Sequence, residues 1–86
     1  MDKRLLTAFW NCGDDNIIQF AITRAHLNAK ELMVIRLILD GCMTQEKAAE
    51  ELHYSVRRVQ DFWYSASKKM LNIPWVKAYA KELCGL

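Results

Sequence analysis

The chain has 86 residues, of which 52% are hydrophobic and 26% are charged, with a formal net charge of +2. This length allows one domain with a modest core. The three cysteines, Cys12, Cys42 and Cys84, are odd in number and scattered, which argues against a disulfide framework and fits a reducing cytoplasm. The start MDKRLL lacks the apolar core of a signal peptide, and no apolar run could span a membrane, so we expect no membrane partner.

Two helices are predicted near the start of the chain. The first covers residues 3–11, with Asp2 as its N-cap. The second covers residues 16–26, and either Asp14 or Asp15 could cap it. Helical spacing predicts that its buried face consists of Ile17, Phe20, Ala21 and Ala25.

A third helix is predicted over residues 28–40. Asn28 and Glu31 have the spacing of a capping box, in which each side chain accepts a hydrogen bond from the backbone N–H of the other residue. Gly41 stands where a helix usually ends. The apolar stripe of this helix is Leu32, Ile35, Ile38 and Leu39.

Residues 44–71 predict a short helix, a tight turn and a longer helix. Thr44 is the expected N-cap of the helix 45–52, and Ser55 is the expected N-cap of the helix 56–71. The residues expected to pack where these helices cross are Ala48, Ala49, Tyr54, Val59 and Phe62. The side chains of the longer helix expected to face outward are Arg57, Arg58, Gln60, Asp61, Tyr64, Ser65 and Lys68.

The last predicted helix covers residues 74–84 and starts at Pro74, which suits a first helical position. The apolar residues of both terminal helices are candidate homodimer interfaces, although they could instead only close the domain's own core. These residues are Leu5, Leu6, Phe9 and Trp10 in the first helix, and Trp75, Val76, Tyr79 and Leu83 in the last. The sequence therefore predicts an all-α fold in one domain over residues 1–86, with a central trihelical unit and additional helices at both termini.

From residue 27 to residue 71, about half of the chain resembles a known family. The positions that carry the resemblance are Glu31, Leu39, Gly41, Thr44, Ala48, Ala49, Leu52, Ser55 and Val59. Their spacing resembles the helix-turn-helix of sigma factor region four and of the LuxR/GerE class of transcriptional regulators. Arg58 and Ala48 depart from that pattern, which often has threonine and isoleucine there. The resemblance implies duplex DNA binding, with the helix 56–71 in the major groove and dimerisation through the next helix.

The outward face of the helix 56–71 carries side chains that can read bases. Arginine can bond guanine bidentately, glutamine can bond adenine, and aspartate can accept from cytosine. The predicted base readers are Arg57, Arg58, Gln60, Asp61 and Tyr64. The predicted phosphate contacts are Thr44, Gln45, Ser55, Lys68 and Lys69.

Positive charge is concentrated towards the end of the chain. Residues 55–86 contain six basic and two acidic residues, whereas residues 28–54 contain three basic and five acidic residues. Because the total charge is weak for a nucleic-acid partner, we expect a second copy or a protein partner to supplement DNA binding.

The sequence contains no recognised catalytic motif. Its three glycines form no phosphate-binding loop, and His26 and His53 have no metal-ligand spacing with the cysteines. We therefore expect no enzyme activity, no cofactor and no metal. His53, in the turn, is expected to adopt a left-handed or bridging conformation.

The sequence leaves three functions open. The first is a freestanding, homodimeric transcriptional regulator of bacterial or phage origin. The second is a sigma-region-four-like protein that contacts promoter DNA while it holds RNA polymerase, or a phage protein that adapts the same unit to packaging. The third is an interaction protein that occupies a transcription factor or polymerase without touching DNA. The short length favours the first.

Overall fold

The structure, a computed structural model, describes residues 3–85 of the chain. These residues contain six α-helices and no β-strand, so the predicted all-α fold is confirmed. The predicted cap at Asp2 lies outside the described residues. The helices are α1 (Lys3–Trp10), α2 (Asp15–Arg24), α3 (Ala29–Leu39), α4 (Gln45–Leu52), α5 (Val56–Leu71) and α6 (Pro74–Leu83).

The chain divides into two compact units. The trihelical unit is Leu27–Ala66, and the terminal unit consists of the described residues up to His26 and from Ser67 onward. Helix α5 belongs to both units, because the division falls between Ala66 and Ser67. The expectation of a single domain over residues 1–86 stays a prediction.

Side-chain caps begin the three helices of the trihelical unit. The Glu31 N–H donates to Asn28 Oδ1 at 2.8 Å, and the Asn28 N–H donates to Glu31 Oε1 at 2.9 Å, which completes the predicted capping box. The hydroxyl oxygens of Thr44 and Ser55 each accept from the backbone N–H three residues later, at 3.1 Å. The predicted starts of α3, α4 and α5 are therefore confirmed, since each capping group satisfies an N–H that the helix leaves unpaired.

The chain leaves α3 through a turn that needs a glycine for a steric reason. The left-handed residue of this turn is Cys42, with φ 53°, and not Gly41. A Cβ at Gly41 would lie 2.6 Å from the carbonyl oxygen of Leu37, which is closer than real Cβ contacts come. Helix α3 ends at Leu39 with Asp40 as its C-cap, so Gly41 follows the helix end as predicted, and a side chain at this position would collide with the Leu37 carbonyl.

The core of the trihelical unit lies where its helices cross. Its buried residues are Val34, Ala48, Ala49 and Val59. The partly buried residues packed against them are Leu37, Ile38, Leu52, Tyr54, Val56, Phe62 and Trp63. The predicted packing at the crossing is confirmed, and so is the left-handed conformation of His53, whose φ is 57°.

The terminal unit contains α1, α2, α6 and the end of α5. Its buried apolar residues are Leu5, Phe9, Ile18, Ala21, Ile22, Met70, Leu71, Val76 and Ala80. Trp10 Nε1 donates to Ser67 Oγ at 2.9 Å, which gives the buried serine a partner inside the same unit. Pro74 occupies the predicted start of α6, and the preceding Ile73 makes no side-chain cap bond.

Helix α2 is capped by Asp14, whose Oδ1 accepts from the N–H of Asn16 at 3.0 Å. The prediction of its buried face was wrong. Phe20 is 48% exposed, and the helix buries Ile18, Ala21 and Ile22 instead. The two apolar faces share Ala21, and both have helical spacing, so periodicity alone does not separate them. Ala25, predicted on the buried face, is half-buried and comes directly after the last helical residue as its C-cap.

Candidate nucleic-acid interface

Helix α5 exposes a continuous polar stripe. Its members lie three, four, seven and eleven residues after the first one, so they share one side of the helix. The opposite side buries Val59, Ala66 and Met70. We call the exposed set the recognition stripe: Arg57, Gln60, Asp61, Tyr64 and Lys68. The structure thus brings five of the predicted DNA-contacting residues together on one face.

A weak ion pair lies inside the recognition stripe. Arg57 Nε is 4.0 Å from Asp61 Oδ1, and the two side chains are 87% and 72% exposed. Exposed pairs of this kind contribute at most about 1 kcal/mol. The Arg57 guanidinium can therefore exchange Asp61 for a stronger acceptor, such as a guanine edge or a phosphate, at small cost.

Arg58 lies beside the recognition stripe and is held by two aromatic rings. Its Cζ is 4.5 Å from the centre of the Tyr54 ring and 5.7 Å from that of Phe62. Successive helical residues differ by about 100° in direction, so Arg58 lies on a different side of α5 from Arg57 and outside the recognition stripe. Stacking on aromatic faces orients a guanidinium before any ligand arrives. Spacing along α5 could not predict this arrangement, because Tyr54 belongs to the preceding turn.

Ser65 was predicted to face outward, and this prediction was wrong. The side chain is half-buried, and its Oγ donates to Glu31 Oε2 at 2.5 Å. Glu31 is only 1% exposed, so its carboxylate needs several donors to offset the loss of water. One carboxylate therefore joins the first turn of α3 to the middle of α5. The sequence identified Glu31 only as a capping residue. The one sequence feature that could have indicated its bond to α5 was the position of Ser65 beside the apolar side of that helix.

The predicted phosphate contacts differ in exposure. Thr44 and Ser55 are exposed at the N-termini of α4 and α5, and Lys68 is exposed on the recognition stripe. A hydroxyl oxygen that accepts a cap bond still carries its own proton, so Thr44 and Ser55 can donate to a phosphate. Gln45 and Lys69 are half-buried.

The predicted dimer residues on α6 are not all at the surface. Trp75 is 38% exposed and Leu83 is 43% exposed, but Val76 is fully buried. The expectation that Val76 lines an interface is therefore corrected, and so is the same expectation for Leu5 and Phe9 of α1, because these side chains are buried inside the chain. Tyr79 is half-buried, and loss of solvent raises the pKa of its phenol, with Cys12 and Asp14 adding to the shift. The phenol therefore stays neutral at physiological pH.

Charge is distributed unevenly around the candidate interface. Residues 27–66 contain five basic and six acidic residues, so the trihelical unit has no cationic excess. On the outer side of α4, Lys47 Nζ lies 3.5 Å from Glu50 Oε2 and 3.9 Å from Glu51 Oε1. Glu46 is a third acidic residue of this helix, so α4 is acidic overall. Phosphate attraction would therefore depend on a few cations of α5, consistent with modest affinity for one copy.

The cysteines, histidines and acidic residues of the described chain build no metal site. Residues 3–85 contain no cluster of three or more His, Cys, Asp or Glu side chains arranged to hold a metal ion. Cys12 and Cys84 are half-buried thiols, whereas Cys42 is exposed. In the same residues, no helix has both the length and the apolar character needed to cross a membrane.

Comparisons of the chain with protein-family models, with curated proteins and with solved structures found no match. The resemblance to sigma region four and the LuxR/GerE class therefore rests on the residue pattern between residues 27 and 71. The exposed face of α5 is the feature of the structure that bears most directly on function.

Proposed function

We propose that the chain is a cytoplasmic, sequence-specific regulator of transcription, of bacterial or phage type, that binds duplex DNA as a homodimer. The observation that carries this proposal is the recognition stripe on α5. A helix of 16 residues is about 24 Å long and about 10–12 Å wide with its side chains, and the major groove is about 12 Å wide. The dimensions and the exposed donors together support α5 as the element that enters the groove.

Each member of the recognition stripe has a role that its chemistry suggests. Arg57 donates two hydrogen bonds to the N7 and O6 atoms of guanine, and Gln60 bonds the N6 and N7 atoms of adenine. Asp61, released from Arg57, accepts from the N4 amino group of cytosine. Tyr64 presents a hydroxyl and a ring one turn further along, and Lys68 contacts a phosphate.

Three side chains outside the recognition stripe position the helix. Thr44 and Ser55 donate from two helix N-termini, where the backbone dipoles also favour a phosphate. Arg58 was expected to read a base, but it is stacked on two aromatic rings outside the recognition stripe, and we assign it to a phosphate contact instead. Contacts of this kind fix the register of a protein on the duplex without selecting a base.

The proposal is tested by selecting bound duplexes from a random library and measuring their affinity for variants. Arg57→Ala/Arg58→Ala should bind the selected duplex at least about tenfold more weakly, since each bidentate base contact is worth about 1–3 kcal/mol. Lys77→Ala/Lys81→Ala removes the same charge from exposed positions of α6 and should retain most of the affinity. Equal affinity of the first variant and the wild type would contradict the assignment of α5.

A second candidate function is the binding of a protein partner, and the outer side of α3 favours it. Leu32 and Met33 are 36% and 43% exposed. They line a groove of about 490 Å³ together with Ala29, Arg36 and Leu37. RNA polymerase is the partner that the sigma-like resemblance implies. Under this alternative, Leu32→Ser/Met33→Ser abolishes capture by purified polymerase while Arg57→Ala/Arg58→Ala does not, and light scattering shows a monomer when polymerase is absent.

A further inference from the structure

An apolar patch remains exposed on the terminal unit. Phe20 on α2 and Trp75 on α6 are 48% and 38% exposed, and their ring centres are 5.4 Å apart. With Asn16 and Ile17, they line a groove of about 420 Å³. We call this set the aromatic patch. Two large rings that stay exposed side by side are typical of a surface that binds another protein.

The charges at the two ends of α2 have opposite signs. Arg24 lies in the last turn, and its Cζ is 4.9 Å from the centre of the Phe20 ring. Asp14 and Asp15 lie at the N-terminus of the same helix, and Asp15 is exposed. The aromatic patch therefore lies along a helix with one acidic end and one basic end.

We propose that the occupant of the aromatic patch is a second copy of this chain, with the two α2 helices antiparallel about a two-fold axis near Phe20. In that arrangement residue 24 of one copy lies opposite residue 16 of the other. Arg24 then meets Asn16 and the carboxylates of Asp14 and Asp15, and the symmetry repeats these contacts at the other end. The two Phe20 rings meet at the centre, flanked by the two Trp75 rings.

Charge complementarity favours a second copy over a different partner. An acidic partner would be repelled at Asp14 and Asp15, and a basic partner would be repelled at Arg24. A partner whose basic end faces Asp14 and Asp15 and whose acidic end faces Arg24 complements both ends of α2. A second α2 helix that runs antiparallel has this charge order. This inference rests on the homodimer of the proposed function. It differs from the interfaces predicted on the first and last helices, because it keeps Trp75 of α6, adds Phe20 of α2 and excludes the buried Val76.

The first test is the oligomeric state of the full chain, measured by sedimentation velocity over a range of concentrations. Wild type should dimerise, and Phe20→Ser should raise the dimer dissociation constant at least about tenfold. Glu46→Ser is the control, because Glu46 is exposed on α4 and lines neither groove, and it should leave the dimer unchanged. A wild type that is monomeric at all concentrations, or a Phe20→Ser variant that dimerises normally, would overturn the proposal.

The second test uses charge reversal and does not depend on the stability of Phe20→Ser. Arg24→Asp should weaken the dimer, and adding Asp15→Arg to the same chain should restore it. Failure of the double variant to recover would overturn the antiparallel arrangement. A monomeric wild type that still selects a duplex overturns the dimer alone, whereas a dimer that selects no duplex overturns the proposed function alone.

Discussion

The two compact units differ in how their helices begin and in what they leave exposed. In the trihelical unit, side chains of Asn28, Thr44 and Ser55 cap the helix starts, and the exposed surface of α5 is polar. In the terminal unit, Asp14 caps α2 but α6 begins without a side-chain cap bond, and the neighbouring rings of Phe20 and Trp75 remain exposed. Local hydrogen bonds thus fix the start of the helix proposed to read DNA, whereas the terminal unit carries the apolar surface proposed for the dimer.

The largest expected effect distinguishes the core of the terminal unit from its exposed patch. Phe9 is 1% exposed, so Phe9→Ala should lower the free energy of unfolding by about 3–5 kcal/mol through lost burial and the cavity left behind. Phe20→Ala removes the same ring from an exposed position and should cost less than about 1 kcal/mol in the monomer. Urea denaturation of both variants measures the difference, and equal losses would mean that Phe20 belongs to the core.

An intermediate effect is expected where α4 packs in the trihelical unit. Ala48 is fully buried, so Ala48→Leu should lower the free energy of unfolding by about 1–3 kcal/mol through overpacking. Ala78→Leu makes the same change at an exposed position of α6 and should be nearly neutral. Thermal denaturation followed by circular dichroism compares the two variants. Tolerance of leucine at residue 48 would show that the helices have room to move apart where they cross.

The smallest of the stability effects concerns the helix caps. Asn28→Ala removes the acceptor for the Glu31 N–H and should cost about 1 kcal/mol. Asn72 is exposed just after the last residue of α5, where its backbone N–H, which alanine keeps, donates to the Lys68 carbonyl, so Asn72→Ala should lower the free energy of unfolding by less than about 0.5 kcal/mol. Urea titration of the two variants checks this pair. If both variants lose the same unfolding free energy, the side-chain cap of α3 contributes nothing to the stability of the trihelical unit.

The starts of α3, α4 and α5 were predictable because a cap and its partner lie within three residues of each other. The hydrogen bond between Ser65 and Glu31 was not predictable, because the two residues are 34 positions apart in the sequence. The buried side of α2 was not predictable either, since Ile17 and Ile18 are adjacent and identical in hydrophobicity. The choice between them depends on which face packs against other helices, and that is not encoded by spacing.

The candidate site was predictable in composition but not in arrangement. Helical periodicity is sufficient to place Arg57, Gln60 and Lys68 on one exposed side. The stacking of Arg58 on Tyr54 depends on the angle between a turn and a helix, so it became visible only in three dimensions.

Base reading by α5 is tested most directly by a loss-of-contact experiment on the selected duplex. Every base pair is substituted in turn, and binding is measured for the wild type and for Arg57→Ala. Wild type should lose about 1–3 kcal/mol at one G·C pair in each half-site, and Arg57→Ala should be indifferent to these two pairs while it discriminates normally at the others. If Arg57→Ala keeps full discrimination everywhere, or binds all duplexes uniformly more weakly, α5 does not read bases through Arg57 in the major groove.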